Sequence, residues 1–302
     1  MKIASKEFVV TKMTELMITP KKHFSQNFLT DYDVVKESID ALDVKEDEQV
    51  IEVGPGLGAL TQELLDRNIS VDAYEIDPDM VNHLSSYFKN YPKFNLENID
   101  FLKVDLNKYQ GKKIKFVSNV PYNITTPLIE KIVTSSLDIK AFEFMVQKEV
   151  YDRIKAKMGS KDYAPLNIFI EYVGKLSVVR KVSYKCYIPM PNVDSIILKI
   201  DFTNDISKDT KFNKLFVEVT KASFLLRRKT ILNNLTSYFK NKEKALDILT
   251  KANINVLTRP EQMSLKNFLH LSEIIYQNQW KIIFIYRWYI YGDQFFSYKK
   301  QI

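Results

Sequence analysis

The segment Gln49-Val50-Ile51-Glu52-Val53-Gly54-Pro55-Gly56-Leu57-Gly58 runs from a Val/Ile-rich stretch into three closely spaced glycines. The branched residues predict a buried strand. Gly54, Gly56 and Gly58 predict a turn that opens a helix. Without a Cβ the backbone turns sharply and a ligand can approach it closely. The Gly-x-Gly-x-Gly spacing is tighter than the Gly-x-Gly-x-x-Gly of dinucleotide sites, where a pyrophosphate rests on the helix N-terminus. Glu52, directly before the first glycine, suits phosphate badly. It suits the cationic amino-acid end of S-adenosylmethionine. For the glycine loop alone, an NAD-type Rossmann domain remains the rival.

Short apolar runs alternate with helical stretches on either side of this turn. Gln49–Val53, Val71–Ile76, Ile99–Val104, Ile114–Ser118 and Phe142–Val146 read as strands. Gly58–Arg67, Pro78–Phe88 and Pro127–Ser135 read as the intervening helices, with Pro78 and Pro127 in first turns, where a missing N–H is harmless. Leu176–Val182 and Val193–Asp201 read as a closing antiparallel pair. This is an α/β, Rossmann-like pattern with a mostly parallel sheet. After Phe202 the pattern changes. Residues 203–210 read as a polar linker, and Phe212–Phe239, Lys242–Ala252 and Ser264–Tyr276 read as helices of a small C-terminal domain. The expected organisation is an extension over 1–20, an α/β domain over 21–202, a small helical domain over 203–276 and an aromatic-rich tail over 277–302. Within that tail, Trp280–Tyr291 is too short for a span of about 20 apolar residues, and Lys281 and Arg287 interrupt it.

Acidic residues are expected at two further strand ends. Glu75 lies 21 positions after Gly54, where a carboxylate can accept both ribose hydroxyl hydrogens. Asp105 is expected to end the third strand and to accept from an adenine amino group. Asp100 competes for that role; Asp105 is preferred because it follows Phe101, Leu102 and Val104.

Asn119-Val120-Pro121-Tyr122 follows another apolar run and supplies a chemistry. The lone pair of adenine N6 is delocalised into the ring, which makes N6 a poor nucleophile. The Asn119 side-chain oxygen and a main-chain carbonyl, read as that of Val120, can accept its two hydrogens. The nitrogen then tends to tetrahedral geometry and its lone pair faces a sulfonium methyl. Pro121 fixes φ, and Tyr122 offers a face for base stacking. A simple Asn-Pro turn is the bland alternative. With the glycine turn, the motif indicates S-adenosylmethionine-dependent methylation of adenine N6.

The 302 residues are 45% hydrophobic, enough for one large domain and one small one. A net charge of +7 and a pI of about 9.1 suit a polyanionic partner such as nucleic acid, although a lysine-rich composition alone produces the same excess. The single cysteine, Cys186, excludes an intrachain disulfide and a Cys-rich metal site. His23, His83 and His270 show no ligand spacing, so no metal is expected. Residues 1–20 lack an apolar signal core, and Glu7 and Glu15 argue against a mitochondrial presequence. The expectation is therefore a cytoplasmic protein with no membrane association. Met13 is an alternative start.

Over about residues 21–276 the chain closely resembles the KsgA-type rRNA adenine dimethyltransferases. The matching pieces are Lys22–Leu29, Glu52–Thr61, Asn119–Ile124, Gln147–Val150, Tyr187–Ser195 and Phe224–Thr230. The resemblance implies transfer of four methyl groups to two adjacent adenosines near the 3′ end of small-subunit rRNA, in an assembling ribosomal particle, by a protein expected to be a monomer. It adds Asn27 and Leu29 to the cofactor pocket, beside Gly54, Gly56, Gly58, Glu75, Asp105 and Asn119. It makes Tyr187, where the family usually has phenylalanine, a second aromatic against the target base. Val120 stands for the more usual leucine. Arg227, Arg228 and Lys229, read as three cations on a helix, fall in the family's RNA-facing region. Leu57, where Erm-type large-subunit enzymes carry lysine, favours the KsgA reading. A methyltransferase-fold transcription factor is the alternative from another class, and the intact Asn-x-Pro-Tyr motif argues against it.

Overall fold

The computed structural model describes residues 3–17, 26–45, 47–119, 122–203 and 206–291, with backbone alone for 122–123 and 279–291. The chain divides into two units. One comprises Met1–Ala156 and Leu166–Lys208, the other Lys157–Pro165 and Asp209–Ile302.

The first unit opens with α1 (Lys6–Glu15), β1 (Phe28–Leu29) and α2 (Tyr32–Leu42). The strand–helix series follows: β2 (Glu48–Val53), α3 (Ala59–Asp66), β3 (Val71–Glu75), α4 (Pro78–Tyr87), β4 (Phe94–Asn98), β5 (Lys113–Ser118), α5 (Tyr122–Val133) and β6 (Asp138–Gln147). After α6 (Lys148–Ile154) and α7 (Pro165–Val173) come β7 (Gly174–Val182), β8 (Tyr187–Ile188) and β9 (Ser195–Phe202). The seven-stranded sheet has the order β4-β3-β2-β5-β6-β9-β7. β4 through β6 are parallel, whereas β9 runs antiparallel to both β6 and β7. The fold is thus the expected Rossmann-like α/β arrangement with its closing antiparallel pair. Consecutive β2 residues Val50, Ile51, Glu52 and Val53 are all buried, which requires cover on both sheet faces. A separate two-stranded pair joins β1 to β8, with Phe28 opposite Ile188 and Leu29 opposite Tyr187.

Two local expectations fail in this unit. The third strand is Phe94–Asn98, not Ile99–Val104. β4 is an edge strand, half exposed, so its apolar Phe94 and Leu96 give only a faint alternation. The stronger apolar run is a 3-10 turn at Phe101–Lys103, in which Phe101 is buried and Leu102 exposed, followed by a buried Val104 in extended conformation. Pro127 sits inside α5, which begins five residues earlier, at Tyr122. The lost N–H donor is tolerated there because Leu128, Ile129, Ile132 and Val133 are buried.

The second unit contains α8 (Thr210–Ser223), α9 (Ile231–Phe239), α10 (Lys242–Lys251) and α11 (Leu265–Tyr291). A single helix over Phe212–Phe239 is expected, but residues 224–230 form turns. The cause is Asn234, which is fully buried. Its side-chain oxygen accepts the Leu226 N–H at 2.7 Å, and its amide donates to the Thr230 carbonyl at 3.1 Å. Lys157–Pro165 joins this unit through local bonds: the Gly159 N–H donates to the Glu261 carbonyl, and Arg227 Nη2 to the Lys161 carbonyl, both at 2.6 Å. Helix α11 continues through Tyr291, past the expected end at Tyr276. Among the described residues, no helix is long and apolar enough to cross a membrane.

Candidate active site

The sheet reverses its winding between β2 and β5, where an open α/β sheet offers a crevice at the carboxyl ends of its strands. Parallel register aligns those ends. Val53 pairs with Ser118 on one side and with Tyr74 on the other, and Glu75 pairs with Asn98. Ser118 Oγ donates to the Val53 carbonyl at 2.8 Å and ties the two central ends together. Gly54, Glu75 and Asn119 therefore leave the sheet along one edge.

A cavity of about 360 Å³ opens there, within the usual size of a small-molecule site, about 300–1,000 Å³. Its lining includes Asn27, Leu29, Gly54, Gly56, Glu75 and Asn119. Gly56 has φ of +58°, and its N–H donates to Glu75 Oε2 at 3.1 Å. Gly58 does not line the cavity. It starts α3 at φ of +89°, and a Cβ there would come within 2.7 Å of the Phe88 ring and 2.9 Å of Leu84, so its role is close packing.

Two carboxylates are buried at this edge. Glu75 Oε1 accepts the Ile76 and Asp77 N–H groups at 2.8 and 2.9 Å. Burial raises its pKa and the three backbone donors oppose the rise. Glu52 accepts from Thr61 Oγ1 at 2.6 Å, and burial pushes it up to about 7. Both carboxylates retain acceptor capacity toward ligand hydroxyl or ammonium groups.

Asp105 is exposed and lies outside the cavity lining. It caps the 3-10 turn Leu106–Tyr109 by accepting the Asn107 N–H. Asp100, the competing residue, lines the cavity together with Ile99 and Phe101, because the strand ends at Asn98. Tyr187 is 3% exposed, belongs to the core and is absent from the lining; its hydroxyl bonds to Met145 Sδ. Val120 and Pro121 lie outside the described residues, as do residues 22–25 of the resemblance and the Tyr122 side chain. Arg227, Arg228 and Lys229 are exposed in the turn between α8 and α9, not on a helix.

Further lining residues are not legible in the sequence. Gln26 donates to Asp77 Oδ2 at 2.7 Å and so ties the Asn27 segment to the loop after Glu75. Ile3 and Val9 reach the cavity from the N-terminal segment.

The sequence model of a family described as "Ribosomal RNA adenine dimethylase" matches residues 17–277. The chain belongs to this family. This adenine dimethylase family member is 39% identical over 257 residues to "Ribosomal RNA small subunit methyltransferase A" of Clostridium botulinum (strain ATCC 19397 / Type A), covering 84% of this chain and 94% of the relative. It is 40% identical over 267 residues to the protein of the same name from Streptococcus gordonii, covering 85% and 92%. Its fold is similar to that of a dimethyladenosine transferase from Plasmodium falciparum, with a TM-score of 0.63 and 24% identity over 81% of this chain and 95% of that one. The 23S rRNA methyltransferase ErmE gives a TM-score of 0.55 and 23% identity, over 82% and 99%. At such identities these two structures bear on the fold alone. Membership makes the chain a methyltransferase built on the Rossmann-like sheet described above.

Proposed function

We propose that the chain methylates N6 of two adjacent adenosines near the 3′ end of small-subunit rRNA, with S-adenosylmethionine as donor and N6,N6-dimethyladenosine as product. The observation that carries this reading is the shared cavity of Gly54, Glu75 and Asn119 in a member of the adenine dimethylase family. The small-subunit name of relatives at 39–40% identity favours that RNA over the large-subunit alternative.

When bound, S-adenosylmethionine supplies an electrophilic methyl group on a positive sulfur. Glu75, held by three backbone donors, accepts from ribose hydroxyls. Glu52 faces the amino-acid end, where an ammonium group would restore the charged form of its carboxylate. Asp100, rather than Asp105, accepts from the adenine amino group of the cofactor. Gly54 and Gly56 keep the floor open, and Asn27 and Leu29 complete the wall. The Asn119 side-chain oxygen accepts an N6 hydrogen of the target adenine and directs the nitrogen lone pair at the methyl. The second acceptor is assigned to the Val120 carbonyl, and stacking to Tyr122. The methylated nitrogen loses its proton readily, so no dedicated base is required. Arg227, Arg228 and Lys229 contact RNA phosphates. The protein acts as a monomer on an assembling particle in the cytoplasm.

The test offers unmethylated small subunits, large-subunit RNA and naked RNA in parallel to the purified protein with labelled S-adenosylmethionine. Label should appear at adjacent adenosines of the small subunit. Dimethyladenosine found only in large-subunit RNA overturns the substrate assignment.

A further inference from the structure

Helix α1 lies before the segment matched by the family model, which begins at residue 17. It is nevertheless built into the first unit. Ten residues form a marginal helix in isolation, and this one is held by packing. Ser5 caps it by accepting the Phe8 N–H at 3.2 Å. The Phe8 ring meets Tyr87 of α4 edge-to-face, with centroids 5.7 Å apart, and also contacts the His83 ring at 6.5 Å. Val9 is 1% exposed and clusters with Phe28, Leu57 and Met80. Leu57 belongs to the glycine turn, and Phe28 precedes Leu29 in β1. Ile3, at 3% exposure, and Val9 both line the same cavity as Glu75 and Asn119. The outer face, with Lys6, Glu7 and Val10, is exposed.

We infer that the N-terminal segment 3–9, including the first turn of α1, forms a fixed wall of the cofactor site, with Ile3 and Val9 as positioning residues whose bulk sets the shape of its apolar side toward an adenosyl-type ligand. This rests on the S-adenosylmethionine reading of the cavity. The two side chains offer no polar atom, so their contribution is exclusion of water and shape, and the neighbouring carboxylates and backbone groups supply the directed bonds. Phe8 acts one step back. Its ring contacts anchor the helix to α4, which starts directly after the Glu75-Ile76-Asp77 segment.

The test titrates full-length Val9→Ala and Ile3→Ala calorimetrically with S-adenosylhomocysteine, beside the wild type and Val10→Ala on the outer face of the same helix. Each inner variant should bind about three- to tenfold more weakly, because the truncation opens a void in the wall behind the ligand. Val10→Ala should match the wild type. Val9→Leu serves where an alanine variant melts at a lower temperature. It keeps the inner face apolar and crowds the wall instead of opening it, so its affinity, measured well below its own melting temperature, should also fall below that of the wild type. Inner variants that bind like the wild type overturn the wall assignment alone. A wild type that binds no S-adenosylhomocysteine overturns the cofactor reading, and the wall assignment with it.

Discussion

Glu75 accepts the Gly56 N–H across the strand gap at 3.1 Å, so the carboxylate at the end of β3 is locked to the turn at the end of β2. Two more backbone donors fix its other oxygen. The acceptor is oriented before any ligand arrives, which removes an ordering cost from binding. Glu75→Ala should weaken S-adenosylhomocysteine binding by about 1.5–3 kcal/mol, the range for hydrogen bonds to a charged group. Calorimetry giving the wild-type affinity would leave Glu75 a purely structural clamp.

Asn119→Ala should leave cofactor affinity measurable and depress the single-turnover rate of methyl transfer by about 2.7–4 kcal/mol in the transition state, the scale for removing a preorganised polar group. A rate within a few-fold of wild type would remove Asn119 from the chemistry.

Both residues cap a 3-10 turn, Asp100 by accepting the Leu102 N–H and Asp105 by accepting the Asn107 N–H, but of the two only Asp100 lines the cavity. Asp100→Ala should therefore reduce cofactor affinity, by roughly 1–3 kcal/mol. Asp105→Ala should cost about 0.5–2 kcal/mol of folding stability through removal of the cap and leave the affinity alone. Affinity lost in Asp105→Ala and kept in Asp100→Ala would restore Asp105 to the site.

Glu143 in β6 is fully buried, and burial raises its pKa to about 8, against an ordinary 4.5; the Ser38 hydroxyl, donating at 2.6 Å, opposes the rise. Its Oε2 has no hydrogen-bond partner among the described residues. The folded chain holds this proton more tightly than the unfolded chain does. Its stabilising contribution is therefore complete below pH 4.5 and lost as the pH rises through about 8. Urea denaturation at about pH 5 and about pH 9 should show the wild type losing more stability than Glu143→Gln, which carries no titrating proton. Equal losses would refute the assignment.

Neutralising Arg227, Arg228 and Lys229 together should weaken particle binding and flatten its salt dependence, by up to about 0.7–0.9 in log–log slope for each phosphate no longer neutralised. Such contacts position RNA without specifying the base. Cofactor affinity should hold. An unaltered slope would take the segment out of the RNA interface.

What is legible in the sequence is local. Val50, Ile51 and Val53 before Gly54 announce a strand and a ligand turn because burial and backbone freedom are written in consecutive residue types. Glu75 is readable for the same reason, as an acid at the end of a buried strand. β4 escapes such reading because an edge strand needs few apolar residues, and the displaced strand carries the third acidic role to Asp105. The helix break at 224–230 depends on the buried side chain of Asn234, several residues downstream, while the apolar periodicity runs on through it. Ile3, Val9 and Gln26 meet the cavity only through long-range packing, which no spacing rule encodes. The resemblance sets Tyr187 as an aromatic against the base, yet the β1–β8 pairing draws its ring into the core.

The stretch Lys157–Pro165 belongs to the C-terminal unit although the chain on both sides belongs to the first. Its bonds to Glu261 and Arg227 have a genetic consequence. A single recombination crossover near residue 208 would join a new C-terminal unit to a loop inherited from a different parent. Exchange of that unit as a module needs two further breakpoints within the first unit's coding sequence. The two parts of this enzyme are thus expected to be inherited as one piece.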